Sequence, residues 1–436
     1  MGPRVTPPPD RGAAASVVAS HVVTGDGDGT VWAPGEVVWA DGVIQYVGPP
    51  ERRPVGRRIE MGEGVVFPGF VNGHTHAAMS LLRGFADDSR LMPWLTEHIW
   101  PIENRLTPED VEVGTLLAAA EMLHAGVVGF ADMYWHTRAV VSAAETSGLR
   151  AVVGRGLTGG AGSVGAVEEA VDIARQLAAR EGRVSGWLAP HAPYTVEAPL
   201  ATLIAEAAQK HGLAIHIHLA ESEDEVRQLH DRVGLSPIAW ADEVGLLTAR
   251  TVAAHGVYLT DADIARLAGS GAAVIHCPTS NLKLGNGVAP IIALERAGVR
   301  VGLGTDGAAS TNRLDPFQEM RLAAWLQKSA TGDPAAFSAR DALRLATRGS
   351  ARALGWDSGV LAVGRWADLA VASWWAPHVV PHADPLSALV YATTPGDVRY
   401  TVIGGQVVLD DGVVTTFDEG AVLRESMDRA RELTRA

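Results

Sequence analysis

The chain of 436 residues has a single cysteine, Cys277, which excludes an internal disulfide framework and suits a reducing compartment. It lacks any apolar run of membrane-spanning length, and Ala13 to Ala19 is too short and too weakly apolar for a secretory signal. That stretch is expected to lead into a first strand of a cytoplasmic protein. Basic clusters are also missing, and the net charge is -14. Phosphate neutralisation needs such clusters, so nucleic acid and anionic membrane are excluded as expected partners and a small molecule is expected instead. Hydrophobic residues make up 47% of the chain, ample for a large core plus one accessory domain.

The segment Val65-Val66-Phe67-Pro68-Gly69-Phe70-Val71-Asn72-Gly73-His74-Thr75-His76 reads as a buried strand ending in two histidines. A spacing of two turns both imidazoles to one face, where they can serve as neutral nitrogen ligands to a metal. A second run, Leu213 to Leu219, carries His216 and His218 and is followed by Glu221. Three more short apolar runs close on His255, on His276-Cys277 and on Asp306. One histidine after a strand is usually a hydrogen-bonded core residue. Five strands that end on polar or ionisable groups imply that their C-terminal ends meet at one site, as in (β/α)8 barrels.

Strand-like runs near 65–74, 127–132, 150–156, 184–190, 213–219, 251–255, 272–276 and 299–304 alternate with helical periodicity at Pro108 to Ala125, Val164 to Ala179, Pro199 to His211 and Ile238 to Val244. The alternation predicts an α/β fold, a (β/α)8 TIM barrel with a parallel sheet. Residues 15–67 and 359–416 have another texture, with valine-rich runs and turn dipeptides such as Asp41-Gly42 and Asp411-Gly412. They read as hairpins that fold together into a small discontinuous β-sandwich. The expected domains are 1–67 and 359–436, the latter with a C-terminal helix, around a catalytic barrel at 68–358. The first dozen residues, with Pro7-Pro8-Pro9, are expected to be disordered.

The motifs PGFVNGHTH (68–76), HIHLAE (216–221), AHGVYL (254–259), HCPTSNLKL (276–284) and GTDGAASTN (304–312) together resemble the amidohydrolase superfamily. The resemblance is to its aminohydrolase branch, which includes S-adenosylhomocysteine/methylthioadenosine deaminases, guanine deaminase and triazine hydrolases. It implies one divalent ion held by His74, His76, His218 and Asp306. Zinc is the expected ion, with iron or manganese as alternatives. Binuclear members carry a lysine at the end of the fourth strand; this chain has His191 there, which favours one metal.

Three imidazoles and a carboxylate leave an open coordination position, and a divalent ion makes water there acidic enough to react near neutrality. The implied catalytic roles are proton acceptance by Asp306, orientation of the attacking water by His255, and proton shuttling by Glu221 to the ring nitrogen and departing ammonia. The segment Leu91 to Glu103 resembles the loop that binds nucleosides, with Trp94 to stack and Glu103 to accept ribose hydroxyls. His191 is expected to bond a purine nitrogen. Arg155 is the lone cation after the third strand until Arg175, where S-adenosylhomocysteine deaminases offer arginines to a carboxylate. A smaller or uncharged 5′ group is therefore expected, as in methylthioadenosine, 5′-deoxyadenosine or adenosine. The competing expectations are hydrolysis of another N-heterocycle (guanine, 8-oxoguanine, a pterin, a triazine) and an inactive scaffold. The resemblance further implies a homodimer or homotetramer.

Overall fold

The computed structural model describes residues 14–51 and 56–435; the Pro7-Pro8-Pro9 segment lies outside them. Eight parallel strands form one sheet in chain order, from Phe70–Thr75 through Val127–Tyr134, Arg150–Leu157, Val184–Pro190, Ile215–Leu219, Thr251–His255 and Ala273–His276 to Arg300–Leu303. Most of their residues are buried, as befits strands with helices on one side and the barrel core on the other. Several of the helices between them start on side-chain caps. Thr107 and Asp110 form a reciprocal capping box at Pro108–His124, and Thr260 and Asp263 form another at Asp261–Ser270.

Closure of the barrel between the first and last strands is side-chain work as much as backbone work. Asn72 Nδ2 donates to Thr305 Oγ1 at 2.7 Å, and Asn72 Oδ1 accepts from Thr305 N at 2.9 Å. Asp306 N then donates to His74 O at 3.0 Å. Gly304 has to be glycine at this seam, because a Cβ there would stand 2.7 Å from His74 N. The closing seam thus places two sequence-distant motifs side by side.

The run at 65–74 is two strands and not one. Arg57–Pro68 lies in the other sheet, parallel to Ala15–Val23 and antiparallel to Leu369–Ser373, and the chain enters the barrel only at Phe70. Pro68 withdraws a donor and Gly69 allows close packing, since a Cβ on it would stand 2.1 Å from Val128 Cγ1. Uniform hydrophobicity hides such a break.

That second sheet is mixed, has nine strands and draws them from both ends of the chain. It curls over its own core of Val17, Val37, Ile44, Leu369, Val371 and Val402. Trp39 Nε1 reaches Gly405 O at 2.9 Å across the curl. The two layers of the expected sandwich are therefore halves of one continuous sheet. Arg150, at the start of the third barrel strand, fastens it to the barrel. Its buried guanidinium meets Asp368 through Nε at 2.8 Å and Nη2 at 3.0 Å and lies 3.8 Å over the Trp366 ring. The C-terminal helix Glu419–Thr434 packs on the barrel helix Pro108–His124, where Arg429 pairs with Asp110 at 2.8 Å. Among the described residues, no helix is long and apolar enough to cross a membrane.

Candidate active site

At the C-terminal end of the barrel, the first strand delivers His74 and the turn after it His76; the fifth strand delivers His218, and the turn after the eighth delivers Asp306. His218 Nε2 lies 3.2 Å from the Nε2 atoms of both His74 and His76. Asp306 Oδ1 lies 3.6 Å from His74 Nε2 and 3.4 Å from His76 Nε2. Four ligands about 2.1 Å from a tetrahedral ion stand about 3.4 Å from one another, so this donor set has the span that a zinc-sized ion needs. Burial lowers His74 to about 4 and His218 well below its ordinary value, which keeps both imidazoles neutral and able to ligate.

The opposite ring nitrogens are tied down, which points each Nε2 at the centre. His76 Nδ1 donates to Met133 O at 2.6 Å and His218 Nδ1 to His191 O at 2.7 Å. His74 Nδ1 faces His216 Nε2 at 2.9 Å. The free oxygen of Asp306 accepts from Ser280 Oγ at 2.6 Å. These outer partners fix tautomer and ring orientation, as metal sites require. A divalent ion fits the set.

Glu221 and His255 face the same centre. Glu221 Oε2 lies 3.8 Å from His255 Nε2, while its Oε1 accepts from Asn286 Nδ2 at 3.1 Å. Asn281 Oδ1 takes the His255 Nδ1 proton at 2.9 Å, leaving Nε2 toward the site. Burial first, then the Asp306 charge, push the Glu221 carboxyl up to about 8. Backbone strain collects here too, since Ala220, His255 and Asp306 all have positive φ, at 54°, 76° and 64°. Non-glycine residues hold such angles mainly where the surrounding structure imposes them, often at functional sites.

A cavity of about 460 Å³ opens over this centre. Its outer wall is the helical segment from Leu91 to Glu103, whose middle, Trp94–Ile99, widens into a π-helical turn. Both Trp94 and Glu103 line the cavity. Burial pushes the Glu103 carboxyl up, opposed by Tyr134 and Trp135 beside it. His191 lines the cavity with Nδ1 2.9 Å from Thr195 Oγ1, and burial lowers it to about 3. Arg155 is the exception. It pairs with Glu169 and is not among the lining residues, because the side chain leaves the strand on the opposite face from its lining neighbour Gly156.

Sequence reasoning missed the residues that hold the ligands in place. His216 was legible, standing two residues before His218 and hence on its face. Ser280 and Asn281 lie in a motif, HCPTSNLKL, that gave no reason to assign them. Asn286, in a Gly-Asn-Gly turn, carried no signal at all.

Among relatives of this chain, a 5-methylthioadenosine/S-adenosylhomocysteine deaminase of Pelotomaculum thermopropionicum is 43% identical over 424 residues, covering 96% of this chain and 98% of its own. A protein of the same description from Halobacterium salinarum is 46% identical over 374 residues, covering 85% and 87%. The crystal structure of an adenosine deaminase from Xanthomonas campestris with bound zinc superposes with a TM-score of 0.92 at 36% identity, covering 96% of this chain and 98% of that one. The amidohydrolase family matches residues 65–408, a span that holds every barrel strand and every donor described above. With that match and those relatives, the chain belongs to the amidohydrolase family.

Proposed function

We propose that this protein is a metal-dependent deaminase of an adenine nucleoside, which adds water at C6 and releases ammonia to leave the inosine analogue. The observation that carries the reading is the position of Glu221, within 3.8 Å of His255 and beside a four-donor metal set, in a cavity whose far wall offers Trp94 and Glu103. The names of its relatives point the same way.

A divalent ion on His74, His76, His218 and Asp306, zinc by the donor chemistry, would supply water acidic enough to attack at neutral pH. This chain's own groups do the rest. Asp306 accepts a proton from that water, and His255 presents Nε2 to orient it. Glu221 donates a proton to the purine ring nitrogen as C6 becomes tetrahedral; the proton held by Asp306 then passes to the amino group, the C6–N bond breaks with ammonia leaving, and the remaining hydroxyl proton returns to Glu221 as the C6 carbonyl forms. A carboxyl raised to about 8 can give and take protons near neutrality, although a cation bound beside Asp306 works against that shift. All three line the cavity, and in this reading His191 bonds a ring nitrogen, Trp94 covers the base and Glu103 accepts two ribose hydroxyls.

The 5′ end follows from what lines the cavity. Among the described residues, no arginine or lysine lines the cavity, and Arg155 is already paired with Glu169. A buried carboxylate without a cation is costly. Methylthioadenosine, 5′-deoxyadenosine and adenosine therefore fit better than S-adenosylhomocysteine. Ammonia release across these nucleosides, guanine, pterins and triazines tests the reading. Activity confined to free bases or triazines would overturn the nucleoside assignment.

A further inference from the structure

Glu225 stands outside the ring of catalytic groups, four residues beyond Glu221, in the first turn of the helix Glu223–Val233. Ser222 caps that helix by accepting Glu225 N at 3.2 Å. In the usual reciprocal box, a carboxylate at this third position turns back to the amide of the capping residue. Glu225 reaches further. Its Oε2 accepts from Glu221 N at 2.7 Å and its Oε1 from Ala220 N at 3.0 Å. The side chain is only 3% exposed, so water cannot replace either bond if the carboxylate is lost.

The two clasped amides belong to an unusual stretch of backbone. Ala220 sits at φ 54°, in a region that residues other than glycine seldom occupy. Its carbonyl is held from the other side by Val257 N at 2.8 Å and Tyr258 N at 3.0 Å, just beyond His255. This left-handed residue turns the chain immediately before Glu221 and so fixes the direction in which the Glu221 side chain leaves the backbone. Asn286 steadies only the far end of that side chain, at Oε1.

We propose that Glu225 is a positioning residue, whose carboxylate clamps the Ala220 and Glu221 amides and thereby aims the Glu221 carboxyl at the reacting ring. The inference rests on Glu221 being the proton shuttle. A misplacement of about 1 Å in a group of this kind can cost roughly 100-fold in rate. Glu225→Gln keeps the size but removes one acceptor and sets an NH2 against a backbone N–H.

The test compares Glu225→Gln with Ser222→Ala in the metal-loaded enzyme. Four quantities are read: metal content, Tm, kcat and KM for methylthioadenosine, and hydrogen exchange at the Ala220 and Glu221 amides. Glu225→Gln is expected to retain metal and KM, to lose roughly 10- to 100-fold in kcat, and to exchange both amides faster. Ser222→Ala is expected to lower Tm while keeping kcat, since it removes a helix cap and leaves the clasp intact. Should Glu225→Gln not fold, Glu225→Asp retracts the carboxyl by one methylene and carries the same expectation with a smaller kcat loss. Wild-type kcat in the folded Glu225 variant, unchanged exchange at the two amides, or an equal kcat loss in Ser222→Ala would each overturn the proposal. A wild-type enzyme inert toward every nucleoside would instead overturn the substrate reading, and the exchange comparison would still decide whether the clasp exists.

Discussion

His74 Nδ1 lies 2.9 Å from His216 Nε2, deep in the barrel, so a candidate metal ligand from the first strand is oriented by a histidine of the fifth. Both rings are buried and burial keeps both neutral; with His74 Nε2 turned to the candidate ion, its Nδ1 carries the proton, so His74 donates and His216 accepts. The partner of a ligating histidine typically contributes 10- to 100-fold in metal affinity. His216→Leu is accordingly expected to weaken metal binding by about that factor, read by chelator competition. Wild-type affinity would show that the His74 ring needs no such support.

Metal stoichiometry follows from the donor set. With His74, His76, His218 and Asp306 as ligands, purified protein is expected to carry about one divalent ion per chain. His74→Ala is expected to lower metal content and turnover together. Two ions per chain by elemental analysis would require a second set of ligands.

Proton transfer can be separated from metal binding at Glu221. Glu221→Gln preserves shape and the contact with Asn286 but cannot shuttle a proton, so kcat is expected to fall by about 100-fold or more with metal retained. His255→Ala is expected to behave similarly, because it removes a group facing the attacking water without removing a ligand. Near-normal turnover in either would take that residue out of the chemistry.

In the proposed reading, Glu103 carries recognition of the sugar. Adenine nucleosides are expected to be far better substrates than free adenine, since a buried carboxylate left without its donors is penalised. Glu103→Ala is expected to erase about 2–3 kcal/mol of that preference in kcat/KM. On the 5′ side, S-adenosylhomocysteine is expected not to exceed methylthioadenosine in kcat/KM. The opposite order would require a cation to reach the cavity.

Glu319 offers a pH dependence in a residue outside the candidate ligand set. Burial pushes its carboxyl up to about 8, although Oε2 accepts from Thr279 N at 3.1 Å. An acid raised in the folded state favours folding most at low pH, where both states are protonated. That contribution is lost as the pH rises through the unfolded value toward 8, because only the unfolded chain readily releases the proton. Glu319→Gln removes the titration, so the Tm difference between variant and wild type is expected to move in the variant's favour from pH 5.5 to pH 8. A difference that stays flat would mean that Glu319 titrates normally.

Much of this architecture is written locally. Period-2 histidines, apolar runs of strand length and capping signals are short-range patterns, and each reports how nearby side chains share a face or an end. They sufficed for the barrel, for a sheet drawn from both termini and for the convergence of strand ends, while the resemblance of five motifs to a known family grouped His74, His76, His218, Glu221, His255 and Asp306. The break at Pro68-Gly69 stayed hidden because two adjoining strands in different sheets are equally apolar. Packing of Glu419–Thr434 on the barrel was hidden because an amphipathic helix does not declare which surface it covers. Only the fold decided that Arg155 turns away to Glu169, that His216 braces His74 from 142 residues along the chain, and that Asn286 reaches Glu221 across 65. Those contacts depend on strand order, register and the direction in which each side chain leaves its backbone. Such quantities are set when the barrel closes between Asn72 and Thr305, and no window of sequence contains them.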